Sequence, residues 1–212
     1  YVPSAQLGGD SFGYHWIDDD HFAMYLLDVC DHGVGPALLS VTALNVLRTM
    51  TLPNTDFRIP DQVLRAMNEM FQMDKHNNLY FTLWYGVYRR KERRIAYSTA
   101  GHPPALLFNG NEPPKDLITP NLMIGGMPDV VYKSGVVDVA FPARLYIFSD
   151  GVYEVRMQDG TMWNLAGFKD FMRKPPVSSG SDIEALYQFV RDTNGNATLD
   201  DDFSLLRVSF EA

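Results

Sequence analysis

The sequence predicts an α+β fold: two packed, mainly antiparallel β-sheets flanked by helices, an α-β-β-α sandwich. Three observations predict it. Strand-like segments stand at both ends of the chain. Two helical segments come early and two late. The middle is a series of aromatic and β-branched runs separated by short turns, the pattern of neighbouring antiparallel strands. The chain has 212 residues, of which 46% are hydrophobic and 21% charged, enough apolar mass for one substantial core. We read residues 1–212 as a single domain and, because the opening segment reads like the middle of a structure, as part of a longer chain.

The first two strands are Phe12–Ile17 and His21–Val29, joined by Asp18-Asp19-Asp20, a residue type that tolerates turns and avoids strand interiors. Counting outward from that loop, Asp10 faces Asp28, and like charges so placed are unfavourable without a counter-ion. A helix follows over Gly35–Met50, with Pro36 near its start and so few polar residues that it should be nearly buried. A second helix, Asp61–Met73, carries Val63, Leu64, Met67, Met70 and Phe71 on one face. Leu79–Tyr88 is apolar on both faces and reads as a strand covered on two sides. Arg89–Arg94 forms the tip of a hairpin, and the strand that returns runs into Ala100-Gly101-His102. Further strands are expected at 104–108, Val130–Ala140, Arg144–Phe148 and Phe203–Phe210, and helices at Leu165–Met172 and Ser181–Thr193. Lys174–Ser181 is a loop, since too little chain follows it to fold alone.

The net charge of -8 argues against nucleic acid or an anionic membrane as a partner. The single cysteine, Cys30, excludes an internal disulfide and fits a reducing, cytoplasmic setting. No apolar run reaches transmembrane length. Four acidic sites stand where an apolar strand meets a loop: Asp10, Asp28, Asp150 and the triplet Asp200-Asp201-Asp202. Such carboxylates are costly near buried surface when unpaired, and no basic residues flank them. Hard divalent cations, Mg²⁺ or Mn²⁺, would resolve the conflict, because they take oxygen ligands. Zinc is disfavoured by the lack of paired histidines and of a second cysteine.

The ordered set "GGD", "LDVCDHGVGPALLS", "AGHPPALLF", "FSDGVYE" and "DDFSLL" resembles the metal-dependent protein phosphatases, in particular their SpoIIE/RsbU-like bacterial branch. The resemblance covers nearly the whole chain. It implies a two-sheet sandwich carrying two ions, Mn²⁺ or Mg²⁺, with Asp10, Asp28, Asp150 and Asp201 as carboxylate ligands and Val29 giving its backbone carbonyl. Asp201 is preferred to Asp202. No side chain is the nucleophile; a water activated by the cations is. Asp31, His32 and Asp202 are candidate supporting groups. The implied substrate is a phosphoserine or phosphothreonine protein, an anti-anti-sigma factor of the STAS type, in partner-switching or stress signalling. An upstream sensor or receiver domain is implied in the full-length chain. The oligomeric state stays open.

Two positions depart from the family pattern. Gly13 stands where "GGDxxD" has its last acid, and Cys30-Asp31 replace Ser-Gly in "DVSGHG". They motivate a rival reading, a catalytically weakened phosphatase fold serving as an adaptor for a sigma-factor regulator. A two-metal nuclease is disfavoured by the acidic balance, and nucleotide chemistry by the lack of a P-loop. His32 is read as a loop brace ahead of a phosphate contact, His102 as structural, and Cys30 as an unreactive buried residue. The basic tip Arg89–Arg94 is read as solvated, with an acidic partner as the alternative.

Overall fold

The computed structural model describes residues 1–4, 7–110, 112–158, 160–173, 181–194, 199 and 201–211. Strands β1 (Ser11–Trp16) and β2 (His21–Val29) are followed by helices α1 (Val34–Thr49) and α2 (Pro60–Met70). Five strands come next: β3 (Phe81–Arg89), β4 (Arg94–Ala100), β5 (Ala105–Asn109), β6 (Lys115–Leu117) and β7 (Gly135–Asp138). β8 (Ala143–Phe148), a short hairpin of β9 (Val155–Arg156) and β10 (Met162–Trp163), helices α3 (Leu165–Arg173) and α4 (Asp182–Asn194), and β11 (Leu205–Phe210) complete it. One sheet runs β1-β2-β3-β4-β7 and the other β11-β8-β5-β6, all antiparallel.

The layers follow from the period of two along each strand. In β2, Ala23, Tyr25 and Leu27 point to α1 and α2, where they meet Leu39, Ala43, Leu47, Val63, Leu64 and Met67. Met24 and Leu26 point the other way, into a core between the sheets with Trp84, Leu107, Leu145 and Ile147. A third core packs β8 against α3 and α4 through Phe148, Phe168, Leu186 and Val190. The expected α-β-β-α sandwich is the observed one. β3 is buried on both faces, as its composition predicts.

Three expectations need correction. Helix α1 is not nearly buried: it covers the sheet with Leu39, Ser40, Ala43 and Leu47 but leaves Val34, Leu38 and Val41 exposed. Apolar composition does not reveal that only one side of a helix has a neighbour. α2 ends at Met70, which is exposed, and Phe71 closes the core from the first position beyond the helix. The strand expected over Val130–Ala140 is only Gly135–Asp138. Residues ahead of it are held by side chains instead: Lys133 N–H donates to Asn121 Oδ1 at 2.9 Å, and Ser98 Oγ donates to Lys133 O at 2.7 Å. The strands β6, β9 and β10 are too short to leave a periodic signal. The expected loop Lys174–Ser181 lies, except for Ser181, outside the described residues.

Gly13 has a structural reason. It faces Tyr25 across the β1–β2 pair, and a Cβ there would stand 2.6 Å from the Tyr25 ring. That ring is fully buried and stacks on Tyr85 at 5.8 Å. Replacing Gly13 with alanine should therefore lower stability by about 1–3 kcal/mol, the usual effect of overpacking. Urea unfolding of the variant measures it, and an unchanged midpoint would show that the ring moves aside freely.

Candidate functional site

Asp10 and Asp28 are brought together by local chemistry. Asp18 Oδ1 accepts from the backbone N–H of Asp20 at 2.8 Å and of His21 at 2.9 Å, closing the turn. The register that follows sets Ser11 against Leu27, so Asp10 reaches the level of Asp28, and Val29 N–H donates to Gly9 O at 3.4 Å. Asp150 and Asp201 arrive from the other sheet. β11 pairs with β8 so that Leu205 faces Phe148, which places the segment entering β11 beside the segment leaving β8. Ser149 clamps the two, its N–H donating to Ser204 O at 3.1 Å and its hydroxyl to Asp202 O at 3.2 Å.

Asp28, Val29, Asp150 and Asp201 line one cavity of about 660 Å³, with Asp31 and His32 also on its wall. Asp10 is not among its lining residues. It is half-buried beside Asp28, and its Oδ2, itself buried, has no hydrogen-bond partner among the described residues. Asp202 is buried and turned toward the start of the chain, accepting from Ser4 N–H at 2.9 Å and Tyr1 O–H at 3.3 Å. Gly8 makes room for it, since a Cβ there would overlap the Asp202 carboxylate. Asp31 has φ 71°, the left-handed region that favours glycine, and its Oδ1 accepts from the His32 N–H at 2.9 Å. The brace expected from the His32 side chain is thus supplied by Asp31, and the His32 ring makes no hydrogen bond among the described residues.

The electrostatics are those of crowded anions. Burial raises the Asp28 pKa strongly, and the charges of Asp10, Asp150 and Asp201 raise it further. Asp10 is raised by burial, against the lowering effect of Ser204 and Ser149 alongside. Asp150 is pushed up to about 6 by burial first and then by Asp201 and Glu154. Burial also raises the Cys30 thiol, helped by Asp31 and Asp28, so the thiolate is disfavoured. His102 is buried, with Nδ1–H donating to Pro103 O at 3.1 Å, and burial lowers its pKa to about 4. It takes no part in the cavity wall.

Among the described residues, no group of three or more His, Cys, Asp or Glu side chains is placed to hold one ion. The acids instead ring a wide cavity, with few carboxylates available to any one position. That suits Mg²⁺ or Mn²⁺, which keep several waters, better than an ion wanting a closed protein cage. The orphaned Asp10 oxygen and the all-oxygen donor set fit such cations. Thr82, absent from the sequence reading, lies directly opposite Asp28 in the β2–β3 pair, lines the cavity, and has a buried hydroxyl without a partner among the described residues. The register of "YFTLW" against "LLDVC" was the signal that could have found it.

The family model described as Stage II sporulation protein E (SpoIIE) matches residues 18–211. The chain belongs to the SpoIIE family. Among curated members, it is 29% identical over 155 residues to phosphoserine phosphatase RsbP of Bacillus subtilis, which covers 73% of this chain and 38% of the relative. It is 28% identical over 161 residues to phosphoserine phosphatase RsbU of the same organism, covering 75% of this chain and 47% of the relative. The chain thus spans less than half the length of these two SpoIIE-family relatives. The fold is that of the SiaA-PP2C domain of Pseudomonas aeruginosa, with a TM-score of 0.83 at 20% identity over 99% of this chain and 84% of that one. It is also that of the PP2C phosphatase domain of SpoIIE from Bacillus subtilis, with a TM-score of 0.79 at 16% identity over 99% of this chain and 62% of that one.

The raised carboxylates give the metal-free protein a defined pH response. A carboxyl whose pKa is higher folded than unfolded binds its proton more tightly in the native state, so stability falls as pH rises through the folded value. For Asp150 that window runs from the ordinary 3.8 to about 6, and Asp10 and Asp28 extend it upward. The lowered carboxylates Asp56 and Asp182 act only below the ordinary range, while buried His102, lowered to about 4, works in the opposite sense up to its ordinary 6.5. In chelator, the thermal midpoint should therefore fall as pH rises from about 6.5 to 8. Asp28→Asn should flatten that slope and stabilise the metal-free protein at pH 8 by about 1–3 kcal/mol, the penalty of an unsatisfied buried group. A midpoint that rises with pH over that range in chelator would contradict the arrangement of charges described above.

Proposed function

We propose that this chain is a metal-dependent phosphoserine/phosphothreonine protein phosphatase domain of bacterial signalling. The observation that carries the reading is the ring of Asp28, Asp150 and Asp201, backed by half-buried Asp10, around an open cavity on a SpoIIE-family fold. RsbP and RsbU, its similar relatives, are named as phosphoserine phosphatases.

Two Mn²⁺ or Mg²⁺ ions would be held by Asp10, Asp28, the Val29 carbonyl, Asp150 and Asp201. When bound, such ions supply a water of lowered pKa and neutralise charge on phosphoryl oxygens. The chain does the rest. Mutual repulsion and burial make the carboxylates unstable without cations, which draws cations in. The clamp of Ser149 and Ser204 holds the Asp150 and Asp201 segments in fixed relation. Thr82 offers a hydroxyl donor beside Asp28 to a water or phosphate oxygen. Cys30, held away from thiolate, leaves attack to water. The open cavity suits a side chain presented on a protein, and we infer a phosphorylated STAS-type regulator as substrate. We also place the domain in the cytoplasm, as the C-terminal part of a longer protein with an upstream sensor or receiver domain. No helix among the described residues is long and apolar enough to cross a membrane.

The adaptor reading rests on Gly13 and Asp31. An acid at 13 would project to the helix side of the sheet, opposite to Asp10 and Asp28, because faces alternate along β1 and β2. Gly13 therefore bears little on the cavity. Asp31 remains the specific feature in its favour.

Hydrolysis of a phosphorylated STAS-type protein and of an aryl phosphate, with and without Mn²⁺, tests the proposal. Turnover should need the metal, and Asp28→Asn or Asp150→Asn should lower kcat/KM at least 100-fold in a folded protein. Turnover that survives both chelation and Asp28→Asn would remove the two-metal argument. Tight partner binding without turnover would establish the adaptor.

A further inference from the structure

A second surface lies at the opposite end of the sandwich. β2 separates the two: from Phe22 to Asp28 it spans roughly 20 Å at the usual strand rise. β1 is the terminal strand of the five-stranded sheet, and no described strand pairs with its outer edge. Proteins usually blunt such an edge with charge or proline. β1, Ser-Phe-Gly-Tyr-His-Trp, has neither. Phe12, Tyr14 and Trp16 lie on one face of it, opposite Leu26, Met24 and Phe22 of β2, the face that points between the sheets. The second sheet does not roof them, and they are 36%, 59% and 51% exposed.

This row of rings leads into a cavity of about 530 Å³, within the usual range for ligand pockets. Trp16, Tyr88, Phe141 and Phe210 give it apolar walls. Arg90 lies over the Trp16 ring at 5.6 Å and Arg93 over the Phe141 ring at 4.5 Å, and both line the cavity. Neither arginine has an ion-pair partner among the described residues, whereas Arg89 pairs with Glu92 and Arg94 with Asp138. Arg48, on the helix side of β1, is likewise without an ion pair and acts on His15 and Tyr25. Opposing charges at this end are Asp18, Asp19 and Asp20 of the β1–β2 turn, of which Asp18 is engaged by His21 at 2.8 Å and Asp20 Oδ1 accepts from Lys91 N–H at 2.9 Å; among the described residues Glu211 is the one acid lining the cavity itself. An uncharged open strand edge, a row of exposed rings and two cavity-lining arginines without an ion pair among the described residues thus meet at one place.

We propose that β1 and this cavity form a docking site for an extended acidic segment of a partner protein. The segment adds a strand to β1, places alternate apolar side chains on Phe12, Tyr14 and Trp16, and sets one apolar side chain in the cavity with carboxylates on Arg90 and Arg93. Main-chain pairing gives such a site its affinity and the alternating side chains its selectivity. The site is remote from the carboxylate ring and does not depend on the activity proposed for that ring.

The probe is a fluorescein-labelled ten-residue peptide in which glutamate alternates with leucine and phenylalanine. Its counterpart has lysine for every glutamate. Fluorescence polarisation on the whole chain should show saturable binding of the acidic peptide, at least tenfold tighter than the basic one and weakened by salt. Hydrogen exchange should slow at residues 11–16. Tyr14→Ser and the double change Arg90→Glu, Arg93→Glu should each lower affinity at least tenfold with circular dichroism and thermal midpoint unchanged. Equal binding of the two peptides, protection elsewhere, or full affinity in Tyr14→Ser would overturn the proposal. So would a concentration-dependent dimer in sedimentation that Tyr14→Ser abolishes, which would assign the edge to a second copy of this chain.

Discussion

The constraint on which the rest of this structure depends is the crowding of carboxylates, three of them half-buried, where the two sheets meet. Asp10 and Asp28 arrive from neighbouring strands and Asp150 and Asp201 from the facing sheet. Nothing cationic in the described protein neutralises them. Such an arrangement persists only when the surrounding packing over-determines it. Here that packing consists of three apolar cores, the tight aspartate turn, and the Ser149 clamp between β8 and β11. The cavity spends stability supplied by the sandwich, the pattern expected where local rules are broken for function.

Local relations were legible in the sequence and distant ones were not. The Asp10–Asp28 juxtaposition follows from a turn three residues long and a period of two, so it could be counted out. That Asp150 and Asp201 join them depends on β8 pairing with β11, two strands distant in the chain, and no periodicity carries that information. The resemblance of ordered motifs stood in for it. Helix α1 shows the opposite failure. Its apolar density suggested burial on every side, but density cannot say whether a second layer exists. Thr82 was missed because a hydroxyl in an aromatic strand looks like filler until the strand opposite it is known. β6, β9 and β10 are shorter than one full alternation and had nothing to read.

Gly13 has one meaning along the chain and another across the sheet. Read along the chain, it is a missing acid. Read across the sheet, it is the space filled by Tyr25, a ring stacked on Tyr85, whose hydroxyl donates to Phe57 O at 2.8 Å. The residue belongs to the layer between β2 and the helices, while the carboxylates belong to the layer between the sheets. Asp31 differs, since it lies on the cavity wall itself and accepts strain in a left-handed conformation that glycine would adopt freely.

The two ends of the sandwich differ in kind because five strands face four. Over β2, β3 and β4 the second sheet closes the interior, and Met24, Leu26 and Trp84 are wholly buried. β1 has no opposing strand, so the side chains that its period directs inward find no partner layer. Apolar residues at such positions would ordinarily drift to polar ones, since exposure removes the reason to keep them. Three successive inward positions of β1 nevertheless carry Phe12, Tyr14 and Trp16, and the adjoining arginines stack on rings instead of pairing with acids. The geometry that exposes these rings is a property of the sheet count. Their chemistry is a property of the sequence, and it is the chemistry of a surface that is covered when the protein works.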